Sequence, residues 1–376
     1  MAAAYARAQE LCETIDDDAR LVPALWLLAT YHLGRSEHAE VDRLVERLYR
    51  LAQEAGDRAL LALANLQVSP FYQGKFAEAR PILERASAAP DVDLQRELAE
   101  RYGMAPAVVG LAYLAVCLWL LGFPAAADER MREARELAEQ VGHPMAICYT
   151  VSRSCWLAAM KGELEDARRH AAVVDDVARE FRFENFVLAA RFFTHWTAVQ
   201  GGAPADEGIA QMEQAMDAYR ATGTVLNRTG FQTLFAQACA TAGEITRGLS
   251  AADEALALGE ETGEVWFQAE AWRIKGELLQ LLAAEERGGE NELRDAEAHM
   301  KKARALAREQ GARSFELRAA VSLCKLWQSQ SQGERGLEML RRIVNQFDEG
   351  VDTVDIRLAK ALLVRGGGSR NTEAEG

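Results

Sequence analysis

The chain has 376 residues, with 43 Lys and Arg against 57 Asp and Glu, a formal net charge of −14. That balance argues against nucleic-acid binding as its main role, because neutralising phosphates needs concentrated positive charge. With 49% hydrophobic and 27% charged residues, the composition is that of a folded globular chain and unlike that of a disordered or membrane one. Val108 to Phe123 is the longest strongly apolar stretch; it is too short for a confident bilayer span and reads as a buried helix. The opening MAAAYARAQELCETIDDD has no basic segment followed by an apolar one, so no secretory signal is expected and the cytoplasm is the default. Cys12, Cys117, Cys148, Cys155, Cys239 and Cys324 form no C-x-x-C pair and read as reduced core residues.

A repeat organises the chain. A small or turn-forming residue is followed five positions later by Ala or Gly in the pairs Gly34/Ala39, Gly74/Ala79, Gly122/Ala127, Gly162/Ala167, Ala203/Gly208, Gly243/Gly248, Asn291/Ala296 and Ser331/Gly336. Successive second members lie 40, 48, 40, 41, 40, 48 and 40 residues apart, with insertions at DVDLQRELAERYG and AAEERGGENE accounting for the two longer steps. Each of the eight units has an apolar-periodic segment before the turn (helix A) and a more charged one after it (helix B), both with helical spacing. The turn residue lets helix A stop, and the small residue lets helix B approach closely.

In chain order, residues 2–15 read as a helix B whose helix A is missing, as if the chain began inside a longer array. Residues 16–350 hold the eight hairpins as one solenoid domain. Residues 351–364 read as a lone capping helix, and 365–376, RGGGSRNTEAEG, as a flexible tail. Within the array, EAGD, QVGHP, ATGT, ETGE and EQGA stop helix B before the next unit. A hairpin of this size cannot bury both apolar faces alone, so neighbours stack into an all-α, right-handed superhelix with a concave groove. Helix A lines that groove and helix B forms the convex back. Contacts are expected between neighbours, so loss of the last helix should fray unit 8 before it touches unit 3.

No catalytic, metal-binding or cofactor-binding residue is expected. Gly74-Lys75 is followed by Phe76, which does not make a phosphate-cradling loop. The six histidines include no H-E-x-x-H and no i, i+4 pair, the paired carboxylates sit on solvated helix faces, and no Ser has a G-x-S-x-G context. Lys301, Lys302, Arg304, Arg308 and Arg313 in HMKKARALAREQGAR fall on the convex side and read as a solvated face.

The unit resembles the tetratricopeptide repeat in a form of about 40 residues; WRIKGELL, with Trp272, Gly276 and Leu279, followed by Ala296, carries its large-small-large signature. A narrower resemblance, in YGMAPAVVGLAYLAVCLWLLGFPAAA, GEVWFQAEAWRIKGELL, QGARSFELRAAVSLCKLW and FDEGVDTVDIRLAKALL, is to the C-terminal repeat region of bacterial regulators that join a class III nucleotide cyclase or DNA-binding domain to a STAND-type ATPase. LNRTGF stands where that family carries an Arg-Pro-Tyr-like run: Arg228 matches, while Thr229 and Gly230 do not.

The resemblance implies a non-catalytic sensor and interaction arm. It also implies inward-facing positions on helix A: Tyr113, Trp119, Tyr149, Arg153, Trp156, Phe193, Thr197, Gln200, Thr233, Gln237, Glu270, Arg273, Glu277, Arg318 and Lys325. A protein, peptide or small-molecule effector is expected in the groove, with no nucleic acid, membrane or cofactor bound; the alternative for the aromatic positions is packing between adjacent A helices. Two other expectations are a regulatory part of a longer cyclase or ATPase with its catalytic domains upstream, and a scaffold that self-associates through its N-terminal end.

Overall fold

The computed structural model describes residues 7, 18–88, 91–285, 289–349 and 352–373, and no strand occurs among them. The expected partial helix at residues 2–15 lies, apart from residue 7, outside the described residues.

The described helices from Asp18 to Val344 form eight hairpins. Unit 1 is α1 (Asp18–Gly34) and α2 (His38–Ala55). Unit 2 has a broken helix A, α3 (Arg58–Asn65) and α4 (Ser69–Tyr72), and helix B α5 (Phe76–Ser87). Pro70 explains the break, because in a continuous helix its ring would clash with the Leu66 carbonyl four residues back. The first insertion is an added helix, α6 (Val92–Tyr102), capped by the Asp91 carboxylate on the Leu94 amide. Then follow α7 (Pro106–Leu120) with α8 (Pro124–Val141), α9 (Pro144–Lys161) with α10 (Leu164–Glu180), and α11 (Glu184–Gln200) with α12 (Ala205–Ala221). The last three units are α13 (Arg228–Ala242) with α14 (Ile245–Thr262), α15 (Gln268–Glu285) with α16 (Glu290–Glu309), and α17 (Arg313–Ser329) with α18 (Gly333–Val344).

Unit 3 supplies the centre. Every residue of α7 is buried, since it packs against α5, α8, α9 and α17 together; a helix apolar on all faces needs such company. No single helix among the described residues is long and apolar enough to cross a membrane.

The repeat residues do what their spacing implies in most units. Gly74, Gly122, Gly162, Gly243 and Ser331 take left-handed conformations at the A–B turns. A Cβ on Gly336 would sit 2.9 Å from the Cα of Cys324, and one on Gly276 3.0 Å from the Ala296 carbonyl, so these are true close crossings. Three pairs need correction. In unit 1 the left-handed residue is Ser36, not Gly34; the register moves two residues, Ala39 is exposed and Val41 takes the crossing. In unit 5 it is Gly202. In unit 7 Asn291 lies inside α16, although Ala296 still meets Gly276. The final helix, α19 (Val354–Glu373), continues through most of the expected tail, despite a cost of about 1 kcal/mol for each glycine in it; residues 374–376 lie outside the described residues.

The winding is tighter than neighbour-only stacking. The Gly34 carbonyl accepts the amides of Val225 (2.7 Å) and Leu226 (3.1 Å), and the Tyr72 carbonyl accepts those of Val265 (2.9 Å) and Trp266 (3.1 Å). The Ser314 hydroxyl donates to the Trp119 carbonyl at 2.5 Å. In each case the C-terminal end of an A helix meets the N-terminal start of the A helix five units later. Helix ends carry unsatisfied carbonyls and amides respectively, so each end supplies what the other lacks. The neighbour-only expectation is therefore wrong: Ala126 of unit 3 donates its amide to Glu349 at 3.2 Å, and Arg318 bonds both the Met160 carbonyl of unit 4 and Asp355 of α19.

Candidate functional site

Closure of the superhelix places most of the expected groove residues in its core. Trp156 and Phe193 are each 1% exposed, and Tyr113, Trp119, Arg153, Thr197, Thr233, Glu270 and Arg273 are buried as well. Tyr149, Gln200, Gln237, Glu277 and Arg318 are half-buried, and Lys325 is exposed on the outside of α17. Among the described residues no open concave groove remains along these positions, because the next turn of the superhelix fills it.

The filling is an aromatic column. Trp156 has ring neighbours Phe193 and Phe231 at 5.1 Å, Trp266 at 5.3 Å and Phe267 at 5.8 Å. Phe71 meets Trp266 at 5.2 Å, and Phe315 joins Phe267 (5.3 Å) to Trp119 (5.8 Å). Units 2 to 8 all contribute, mostly in the edge-on arrangements rings prefer. A Cβ on Gly230 would lie 2.7 Å from the Trp156 ring, which is why glycine fits that position in LNRTGF.

Three buried polar clusters pin the closure. Glu264, fully buried, accepts from the Ser36 hydroxyl (3.0 Å), the Asn227 amide (2.9 Å), the Thr229 hydroxyl (2.7 Å) and the Trp266 indole (3.2 Å). It thus ties the unit 1 turn to the starts of units 6 and 7. In the second cluster, Tyr72 and Tyr113 share a 2.6 Å hydroxyl contact. Arg153, 5% exposed, lies over the rings of Tyr113 (5.1 Å) and Trp156 (5.9 Å) and, among the described residues, donates to the Asn227 side-chain oxygen alone, at 3.4–3.5 Å. Tyr149, pushed up to about 12 by burial, offers no counter-charge, and the guanidinium rests on the Tyr113 and Trp156 ring faces. In the third, Glu270 is gripped by Arg273 (2.6 Å) and Arg318 (3.1 Å), with Glu277 on the far side of Arg273 at 2.6 Å. Gln200, Gln237 and Lys325 join none of these clusters.

Burial pushes the Glu264 carboxyl up to about 7, against the opposing pull of its donors. A group ordinarily at 4.5 keeps its proton longer when folded, so its contribution to stability is complete at low pH. It is lost as pH rises from about 4.5 through about 7, amounting to about 3 kcal/mol. Urea denaturation of wild type and Glu264→Gln across that window should show the wild type losing this much relative to the variant. Parallel profiles would mean that Glu264 ionises normally. Glu270 has the opposite sign: although burial opposes it, Arg273 and Arg318 hold its pKa below the ordinary value, so its contribution is present above about 4.5 and fades only in acid.

Buried thiols are also shifted: burial raises Cys117, Cys148 and Cys239 to about 12 and Cys324 to about 11, far from reactive thiolates. No cluster of three or more potential metal-ligating side chains occurs among the described residues.

Outside, clefts separate consecutive B helices. One of about 720 Å³ lies between α5 and α8, one of about 210 Å³ between α12 and α14, and one of about 600 Å³ between α16 and α18. A cavity of about 60 Å³ beside units 1 to 4 is lined by Trp26, Leu33, Val68, Met104, Tyr113 and Tyr149.

The helix A count missed Glu264, Trp266, Phe267 and Phe315. They sit at or before the start of helix A, and the signal available was an aromatic three or four residues after the stop glycine, in GEVWF and GARSF.

No family model matches the chain. An uncharacterized protein of Rhizobium meliloti (strain 1021) is 24% identical over 282 residues; the match covers 72% of this chain but only 26% of that protein. Among solved structures, a Signal Transduction ATPase with Numerous Domains (STAND) protein with a tetratricopeptide repeat sensor, from Pyrococcus horikoshii, aligns over 93% of this chain and 50% of its own, at 12% identity and a TM-score of 0.47. Yeast Tom70 aligns over 96% of this chain and 92% of its own, at 12% identity and a TM-score of 0.43.

Proposed function

We propose that the chain is a non-catalytic interaction scaffold that serves as the sensor or partner-binding arm of a bacterial signalling regulator. The observation that carries this reading is architectural: eight stacked hairpins turn their B helices outward and leave clefts of hundreds of cubic ångströms between them, the extended surface repeat arrays use for binding. The resemblance of its repeats to the sensor arm of cyclase-linked and STAND regulators supports the signalling context. A partner binding across several units, or an effector binding beside the cross-turn contacts, shifts the balance between closed and opened superhelix, and an attached effector domain reads that change.

The test is affinity capture from a bacterial lysate with the immobilised chain, followed by reconstitution from purified components, beside assays of ATP hydrolysis and cyclic nucleotide formation. A purified partner that binds saturably, with no turnover by the chain alone, is expected. Turnover of ATP or GTP by the chain would overturn the non-catalytic reading, and absence of any saturable partner would overturn the scaffold.

A further inference from the structure

We infer that the cleft between α16 and α18 is a docking site for an acidic amphipathic helix of a partner protein. This rests on the scaffold reading and assigns it a surface and a partner chemistry. In a chain of net charge −14, this cleft is lined by five arginines, Arg304, Arg308, Arg313, Arg335 and Arg342, against Glu316 and Glu338.

Two other outer clefts show what an ordinary solvated face looks like here. Between α5 and α8, Arg80 pairs with Glu84 and Arg130 with Glu133. Between α12 and α14, Arg220 pairs with Asp217, Arg228 with Glu254 and Arg247 with Glu213. In the α16–α18 cleft Arg342 meets Glu338 and Arg304 lies 3.4 Å from Glu316. Arg308 and Arg313, however, have no carboxylate partner among the described residues, and Arg335 is 3.9 Å from Glu297. Arg335 stacks over Trp327 at 4.2 Å instead. Among the described residues, Arg308 and Arg313 thus add positive charge to the cleft that no carboxylate pairs, beside three arginines that are paired.

Its shape selects the occupant. Arg304 and Arg308 are one turn apart on one wall, and Arg335 and Arg342 two turns apart on the other, about 10 Å of helix. Trp327, Met339 and Ile343 line the space with them. A lone phosphate wants two or three guanidiniums converging on one point. A trough with cations on both walls, and between them half-buried Met339 over the buried Trp327 and Ile343, instead fits a helix that sets an apolar side chain against Met339 and presents carboxylates to either side. Electrostatic attraction of this kind governs association and its salt dependence.

The probe is a fluorescein-labelled 18-residue peptide of Glu and Leu patterned as an amphipathic helix, titrated by fluorescence anisotropy. Its controls are the same peptide with Lys for Glu, and inorganic phosphate and ATP as competitors. The Arg308→Glu/Arg342→Glu double variant changes two exposed side chains, and circular dichroism checks its fold; Arg308→Lys/Arg342→Lys keeps the charge. Expected results are binding of the acidic peptide that weakens at higher salt, at least tenfold loss on charge reversal, little loss with lysine and none of this for the basic peptide. Equal affinity for wild type and the reversed variant, or no binding of the acidic peptide, overturns the inference. So does complete displacement by millimolar phosphate or ATP, which would assign the cleft to a small anion. If a partner recovered by capture binds the reversed variant as well as wild type, the scaffold reading stands and this assignment alone falls.

Discussion

Trp156→Ala is expected to destabilise the fold by about 3–5 kcal/mol, the range for deleting a large buried aromatic. The ring is at the centre of the column, touching residues of units 5, 6 and 7 and covering Gly230 and the Arg153 guanidinium. An alanine leaves a void bounded by Phe193, Phe231, Trp266 and Phe267, rings held by their own neighbours and unable to collapse inward. Arg153 also loses one of its two ring faces, so a buried cation becomes less well compensated. Urea unfolding followed by circular dichroism measures the loss, and Trp156→Phe should recover a large part of it. If Trp156 faced an open groove, its truncation would leave stability within about 0.5 kcal/mol of wild type, as for exposed positions generally.

Glu270→Ala is the second large effect. Glu270 is 3% exposed and is the shared anion of two guanidiniums, Arg273 and Arg318. Removing it leaves Arg273 with Glu277 and Arg318 with Asp355, two cations crowded in one buried space with less negative charge between them. Breaking a buried pair from one side costs about 3–5 kcal/mol. The same principle makes Glu270→Leu with Arg273→Met the informative control: removing both charges should cost less than removing the carboxylate alone, because the buried Arg273 cation goes with its partner, while Arg318 keeps Asp355 and half-buried Glu277 keeps the Ser322 hydroxyl. A single variant no worse than the double would show that water reaches this cluster and that the closure is looser than described.

The hairpins were legible because their cause is local. A glycine that must turn left-handed and a small residue at a helix crossing leave a mark every 40 residues, and the exceptions shifted by only a residue or two where Ser36 or Gly202 took over the turn. The tightness of winding was not legible. It depends on Gly34 meeting Val225 and Tyr72 meeting Val265, contacts between residues five units apart with no periodic signature. An apolar A face reads identically whether it lines a groove or is covered by the next turn. Trp119, Trp156 and Phe193 were therefore found as inward-facing side chains, while the burial that decides their role was invisible. Glu264 was missed for a related reason: a single carboxylate after a stop glycine looks like a capping residue until Ser36, more than two hundred positions earlier, donates to it.

The closed superhelix is tested most directly by hydrogen–deuterium exchange, resolved to the amides of Val225, Leu226, Val265 and Trp266. These four lie between helices and have no partner within their own hairpin; their acceptors are the Gly34 and Tyr72 carbonyls of the preceding superhelical turn. Closure predicts that they exchange as slowly as amides inside α13 and α15, and that all four speed up together when Trp156 is replaced by alanine. Exchange at the rate of solvent-exposed turns in the wild-type chain would contradict it, and would restore the open groove along the A helices.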